Sequence, residues 1–149
     1  MSRSLDSLNR KQPDGYRLGG KSYKIMVVED KDFIRKQIVQ ILESEEYEIV
    51  GEAKNGREAL DQLDKLYEKN KPIDLITLDL DMPVLDGYAT VCELHNREKK
   101  PLYVFISEDT SKGVMQDLVT MGIADFILKP IERRVLLERI KAVLVKHNV

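Results

Sequence analysis

The sequence predicts an α/β domain in which helices cover both faces of a parallel sheet. Five short runs rich in β-branched residues alternate with segments whose apolar residues recur at helical spacing. Ligands of such sheets bind outside the carboxyl ends of the strands, so polar residues at those ends are expected to meet at one edge. Four of the runs end in such residues, namely Glu29-Asp30, Asp79, Ser107 and Lys129.

The predicted elements follow one another from residue 24 onward. Strands are predicted over 24–28, 47–53, 73–78, 101–106 and 125–128. Helices are predicted over 32–45, from Asn55-Gly56 onward, and over 87–97, 111–121 and 131–146. The apolar faces of the first and last helices consist of Phe33, Ile34, Ile38, Ile41 and Leu42, and of Leu136, Leu137, Ile140, Val143 and Leu144.

Composition and charge restrict the class of protein. With 149 residues, of which 42% are hydrophobic and 34% charged, the chain resembles one soluble globular domain. It lacks an apolar run near the roughly 18 residues of a membrane span, and it lacks the core of a signal peptide, so we expect no membrane insertion. The single cysteine, Cys92, fits a reducing cytosol and hence a cytoplasmic protein. The net charge of −2 combines +3 over residues 1–21, which hold five basic and two acidic side chains, with −5 over the rest of the chain. An acidic body of this kind argues against nucleic-acid binding.

Residues 1–22 have no apolar period and are rich in glycine, serine and turn-forming residues, which predicts a flexible tail before the domain at 23–149. The segment from Gly15 to Ser22 matches the nucleotide-binding pattern G-x-x-x-x-G-K-[ST]. That loop functions between a strand and a helix whose amino terminus receives the phosphates. Here a polar segment precedes the motif and a strand follows it, so we interpret the match as chance.

The polar strand ends form a set suited to phosphoryl transfer. Mg²⁺ prefers oxygen ligands, and Glu29, Asp30 and Asp79 supply three carboxylates. With their charge neutralised, Asp79 can attack phosphorus and form an acyl phosphate. Lys129 can neutralise one phosphoryl oxygen, and the Ser107 hydroxyl can donate a hydrogen bond to another.

Each of these residues also has a purely structural interpretation. Acidic residues at strand ends are often turn residues or helix caps, and Asp30 could cap the first helix. Ser107 and Lys129 could be solvated surface residues, and Phe126 could serve only as part of the core. The combination of all four strand ends favours the functional interpretation.

Two other classes of protein share part of the pattern. Asp79-Leu80-Asp81 after a strand resembles haloacid-dehalogenase-type phosphatases, but these have a large cap-bearing fold for which this chain is short. Flavodoxin-like flavin binders share the topology but need a phosphate loop rich in glycine and hydroxyl groups, where this chain has Glu29-Asp30. A protein that carries a flavin would be yellow, so the colour of the purified protein distinguishes a flavin binder from the other classes.

At these positions the chain resembles the response-regulator receiver family, and within it the stand-alone chemotaxis type. The resemblance covers about residues 23–147, with the landmarks in the expected order. It implies a doubly wound, five-stranded parallel sheet with strand order 2-1-3-4-5, the flavodoxin-like receiver fold. The matching segments are Val28-Glu29-Asp30, Asp79 to Gly87 (DLDMPVLDG), Ile106-Ser107 and Asp125 to Pro130 (DFILKP).

The resemblance also implies a role for each site residue. Asp79 would be the phosphoacceptor, Asp30 a direct Mg²⁺ ligand and Glu29 a ligand through water. The backbone carbonyl of Asp81 would complete the protein ligands. The resemblance implies a cis peptide between Lys129 and Pro130. Ser107 and Phe126 would form the switch that responds to phosphorylation.

The implied function is that of a signalling switch, not of an enzyme with an external substrate. A histidine kinase of the chemotaxis type would phosphorylate Asp79, and slow hydrolysis, assisted by a phosphatase, would reset it. Because no output domain follows the receiver, we expect it to signal by binding a protein such as a flagellar motor switch protein. We also expect a monomer. A phosphorelay intermediate and a phosphorylation-independent binding module remain alternatives.

Three residues depart from the common family pattern. Ser107 replaces the commoner threonine, and Phe126 lacks the hydroxyl of the commoner tyrosine. Glu108 stands where the family usually has a small residue. With Asp81 and Asp109 nearby, Glu108 suggests an acidic rim that sets the dephosphorylation rate.

Overall fold

Five short strands and five helices alternate along the part of the chain that the structure describes. The structure is a computed structural model, and it describes residues 12–17, 19–108 and 112–149. The strands are β1 (Lys24–Val28), β2 (Glu48–Ala53), β3 (Leu75–Leu78), β4 (Leu102–Ser107) and β5 (Asp125–Leu128). The helices are α1 (Asp32–Glu43), α2 (Gly56–Glu68), α3 (Gly87–His95), α4 (Lys112–Thr120) and α5 (Arg133–Lys146).

The strands form one parallel sheet in the order β2-β1-β3-β4-β5. This order confirms the predicted fold class. The element bounds differ from the predicted ones by up to two residues. At the end of α1, for example, the helix stops at Glu43 because Glu46, with φ of 65°, turns the chain toward β2.

Helices cover both faces of the sheet because its central strands are apolar on both sides. All four residues of β3 are buried, and side chains of β1 alternate between two apolar layers. One layer packs the sheet against α2, α3 and α4, and the other packs it against α1 and α5. These two layers hold the carboxyl ends of the strands at a common edge.

The inward face of α1 differs from the predicted one at its first turn. Phe33 is 81% exposed, although its position suggested an apolar contact. The buried positions of α1 are instead Arg35, Ile38 and Leu42. An arginine therefore occupies the end of the helix that lies nearest to the carboxyl edge of the sheet.

The amino-terminal segment, residues 12–17 and 19–22, packs against the domain, which differs from the flexible tail predicted over 1–22. Tyr16 and Ser22 form an antiparallel bridge, and the Gly15 amide donates to the carbonyl of Glu45 at 2.6 Å. Arg17 forms a 2.5 Å ion pair with Asp74. The sequence pattern missed this packing because the partners in the domain, Glu45 and Asp74, are distant along the chain. Residues 1–11 and 18 lie outside the described part.

The close approach of α3 to the end of β3 requires a glycine at position 87. A Cβ atom there would lie 2.2 Å from the Asp79 carbonyl oxygen and 2.7 Å from Cε1 of Phe105. Both neighbours are held rigidly, since one is backbone and the other a fully buried ring. Gly87 therefore sets how closely the helix can pack beside Asp79.

We predict that Gly87→Ala lowers the free energy of unfolding by about 2–3 kcal/mol, because the added methyl group forces α3 away from β3. Denaturant unfolding measures the change. Gly122→Ala is the comparison: its Cβ meets nothing within 4 Å, so only the strain of a φ of 81° acts there. A Gly87→Ala protein as stable as the native chain would contradict the close approach.

Candidate functional site

Three carboxylates meet at the carboxyl edge of the sheet. Glu29 and Asp30 follow β1, and Asp79 follows β3. One oxygen from each lies within 4.8 Å of the others, and we call this group the carboxylate cluster. The cluster forms because β1 and β3 are parallel neighbours, paired through Val28 and Leu78. The structure therefore brings together the three acidic residues that the sequence singled out.

Lys129 joins two members of the cluster. Its Nζ donates to Glu29 Oε1 at 2.5 Å and to Asp79 Oδ2 at 2.8 Å. All three side chains are at most 6% exposed. Burial alone would lower the pKa of Lys129, but its hydrogen bonds to Asp79 and Glu29 outweigh that effect and raise the pKa. The lysine therefore remains charged between the two carboxylates.

The carboxylate cluster carries more negative charge than Lys129 balances. Burial raises the pKa of Glu29 to about 7, although hydrogen bonds from Lys129 and the Lys31 amide act in the opposite direction. The negative charge of Asp79 also raises the pKa of Glu29, because it repels the ionised form. In addition, Asp30 Oδ1 is buried without a hydrogen-bond partner. An unpartnered buried oxygen among three carboxylates fits a hard divalent cation, which prefers such ligands.

Asp79 is held in place by its own loop. Its Oδ1 accepts a hydrogen bond from the Asp81 amide at 3.1 Å, and its amide donates to the Val28 carbonyl at 3.2 Å. The Asp81 side chain is exposed and is not a member of the carboxylate cluster. The Asp81 backbone thus helps to fix the orientation of the Asp79 carboxylate.

Ser107 and Phe126 are both buried beside the site. Ser107 is fully buried at the end of β4, where its carbonyl accepts from the Lys129 amide at 3.0 Å. Phe126 is 9% exposed and stacks on Phe105, with ring centroids 6.3 Å apart. The peptide between Lys129 and Pro130 is cis, as the family resemblance implied. The switching roles of Ser107 and Phe126 remain predictions.

The structure does not bear out two of the purely structural interpretations, those of Asp30 as a helix cap and of Lys129 as a solvated surface residue. The residue at the amino-terminal cap of α1 is Lys31, which forms no side-chain capping hydrogen bond, so Asp30 does not cap this helix. Lys129 is buried, not solvated. Glu108 is exposed directly after Ser107, whereas Asp109 lies outside the described residues.

Arg35 is a positioning residue that the sequence interpretation missed. Its Nη1 donates to the Glu29 carbonyl at 3.0 Å, its Nη2 to Asp32 Oδ1 at 2.7 Å, and its Nε to Glu52 Oε1 at 3.2 Å. The side chain is 10% exposed. It ties the loop that carries Glu29 to both α1 and β2. A signal was present, since Arg35 shares the buried stripe of α1 with Ile38 and Leu42.

Known proteins share this fold and chain length. A family model described as "Response regulator receiver domain" matches residues 25–141. Chemotaxis protein CheY of Treponema pallidum is 33% identical over 138 residues, which cover 93% of this chain and 94% of that protein. CheY of Bacillus subtilis is 31% identical over 123 residues, which cover 83% of this chain and 98% of that one.

Solved structures of chemotaxis proteins have the same fold as this chain. The crystal structure of a CheX-CheY-BeF3-Mg complex from Borrelia burgdorferi contains a chain with a TM-score of 0.83 and 30% identity, covering 90% of this chain and 98% of that one. The response regulator domain of Thermotoga maritima CheB has a TM-score of 0.71 and 28% identity, and the match covers 87% of this chain and 98% of that one.

The chain therefore belongs to the response-regulator receiver family, whose members are signalling switches of two-component systems. Within that family, the two relatives named above match it over 93% and 83% of its length, and both are chemotaxis proteins CheY. In the part of the chain that the structure describes, no helix is both long and apolar enough to cross a membrane.

We predict that Lys129→Met lowers the free energy of unfolding by about 3–5 kcal/mol in metal-free buffer at a pH near 8, because it leaves two buried carboxylates unpaired. Denaturant unfolding measures the loss. Adding Glu29→Gln should recover part of it by removing one of the unpaired charges. Lys99→Met, at an exposed position, is the matched control and should change little. Equal stabilities of the Lys129 and Lys99 variants would show that the buried ion pairs contribute nothing.

Proposed function

We propose that this protein is a Mg²⁺-dependent phosphorylation switch in which Asp79 accepts a phosphoryl group from a histidine kinase. The observation that carries the proposal is the arrangement of Asp79 between a charged, buried lysine and two further carboxylates. A structural ion pair would need one carboxylate for one lysine. Here there are three carboxylates for one lysine, and this excess of negative charge fits a site that binds a metal cation when it functions.

The residues that would hold Mg²⁺ are Asp30 and Asp79 directly, Glu29 through water, and the backbone carbonyl of Asp81. When bound, the ion would neutralise the carboxylates and so permit a phosphoryl donor to approach. The Borrelia relative is described as a complex that contains Mg²⁺ and BeF3. The unpartnered Asp30 Oδ1 gives this assignment independent support.

The chain's own residues account for the transfer. A carboxylate oxygen of Asp79 forms a bond to phosphorus while the bond from phosphorus to the kinase histidine nitrogen breaks, and that nitrogen keeps the electron pair. Lys129, already 2.8 Å from Asp79 Oδ2, neutralises the charge on the transferred group. Ser107 donates its hydroxyl hydrogen bond to a phosphoryl oxygen. Attack by water on phosphorus later regenerates the Asp79 carboxylate.

The phosphorylated state would act by binding another protein in the cytoplasm. The CheY relatives support a chemotaxis histidine kinase upstream and a flagellar motor switch protein downstream. A phosphatase partner is also part of the proposal, and so is a monomeric state. Ser107 and Phe126 would transmit the change at Asp79 to the surface formed by α4, β5 and α5.

Intact mass after incubation with acetyl phosphate tests the proposal. We expect the mass of one phosphoryl group on the native chain with Mg²⁺, and none with EDTA or in Asp79→Asn. Asp61→Asn, an exposed acid on α2, is the matched control and should be phosphorylated normally. A phosphorylated chemotaxis kinase serves as a second donor. If neither donor modifies the native chain, the protein is a phosphorylation-independent binding module instead. If Asp79→Asn gains the same mass as the native chain, the phosphoacceptor is a residue other than Asp79.

Glu108 is expected to slow reactions at Asp79, because an exposed anion beside the site repels anionic donors. We predict that Glu108→Ala raises both the rate of phosphorylation by acetyl phosphate and the rate of dephosphorylation by about threefold to tenfold. Asp109→Ala tests the second member of the proposed rim. Glu68→Ala, an exposed acid at the end of α2, is the control. Unchanged rates in both rim variants would disprove this role.

A further inference from the structure

A second concave site lies at the opposite edge of the sheet, where β1 and β3 begin. Its volume is about 520 Å³, which is within the range of small-molecule sites. The carboxylate cluster lies at the other end of the same strands, roughly 16 Å away, since five residue steps along β1 separate Lys24 from Glu29. We call this site the basic cavity, because its lining includes Arg17, Lys21, Lys24 and Lys71.

The positive charge of the basic cavity is only partly balanced. Two acidic residues, Glu48 and Asp74, also line it. Asp74 is already engaged, since it accepts from Arg17 Nη2 at 2.5 Å and from the Lys24 amide at 2.8 Å. The ammonium groups of the three lysines form no ion pair with any residue that the structure describes. Among the lining residues, Glu48 is therefore the one acid that Arg17 does not already engage, beside three lysines that form no ion pair within the described part of the chain.

Arg17 provides an independent observation. Asp74 and the ring of Tyr23, 4.8 Å from the guanidinium carbon, hold its side chain in place. Its Nε is nevertheless buried and has no hydrogen-bond partner. A buried donor without an acceptor is unfavourable. Because Arg17 contributes to the lining of the basic cavity, a ligand bound there would lie beside this unsatisfied side chain.

The basic cavity also accounts for residues of the motif from Gly15 to Ser22. The motif does not form a phosphate-binding loop, because its ends pair as an antiparallel bridge and β1 follows it. Two basic residues of the motif, Arg17 and Lys21, nevertheless line the same cavity. Side chains, not a helix amino terminus, would therefore bind an anion here.

We propose that the basic cavity binds a small organic phosphate carrying at least two negative charges. Several separate cations suit a ligand with several anionic oxygens. A lone inorganic phosphate would leave most of the volume unfilled, and the apolar part of the lining can contact an organic group. That part consists of Val50, Leu66, Pro72 and Ile73.

Isothermal titration calorimetry with ADP, pyrophosphate and adenosine tests this site. EDTA in the buffer removes divalent cations, so that the carboxylate cluster repels these anions and takes no part. We expect ADP to bind the native full-length chain, with an affinity that falls as salt rises, and adenosine not to bind. Pyrophosphate should bind more weakly than ADP.

Substitutions separate a specific site from general charge attraction. The triple variant Lys21→Gln, Lys24→Gln, Lys71→Gln should weaken ADP binding by about tenfold or more. The matched control is Lys36→Gln, Lys65→Gln, Lys99→Gln, which removes the same charge from exposed positions elsewhere and should bind normally. Thermal unfolding of both variants verifies that they are folded.

Several outcomes would overturn the proposal. They are no binding of ADP, unchanged binding in the cavity variant, and an equal loss in the control variant. Binding of pyrophosphate without ADP would exclude an organic ligand. Since none of these measurements involves Asp79 or Mg²⁺, their result is independent of the proposed phosphorylation.

Discussion

The pairing of Lys129 with Glu29 and Asp79 is the interaction on which the site depends. It connects residues that are 100 and 50 positions apart in the chain, and it joins the ends of three strands. Without a buried cation, the desolvation of these carboxylates would oppose folding. The lysine thus makes it possible to place three acids together at the end of an apolar sheet. Burying these charged groups lowers the free energy of unfolding, and a domain without a functional site would have no reason to bury them.

Packing around the site keeps the acidic loops in position. Gly87 permits α3 to lie against the Asp79 backbone, and Arg35 binds the Glu29 carbonyl from the other side. Neither residue belongs to the carboxylate cluster. Both nevertheless define the separation of the two loops that carry it. The site is therefore preorganised by contacts with the backbone as much as by the acidic side chains themselves.

The two edges of the sheet have opposite electrostatic character. Acidic residues follow β1 and β3, whereas basic residues gather where the same strands begin. The amino-terminal segment contributes to this second edge, because Arg17 is anchored there by Asp74. A segment that adds no strand to the sheet thereby completes a cavity. The small net charge of the chain conceals this separation.

The sequence by itself determined the strands, the helices, the strand order through the family resemblance, and which acids would meet. The strands, the helices and the meeting of the acids follow from periodicity and from strand ends, which are local properties of the chain, whereas the strand order rested on the resemblance alone. Only the tertiary structure placed Arg35 against Glu29, left Asp30 Oδ1 without a partner, exposed Phe33 and packed the segment around Gly15 against the domain. Those outcomes depend on contacts between residues that are distant in the sequence. The free energy of such a contact depends on how deeply the residues are buried and on which residues surround them, and a local sequence pattern specifies neither.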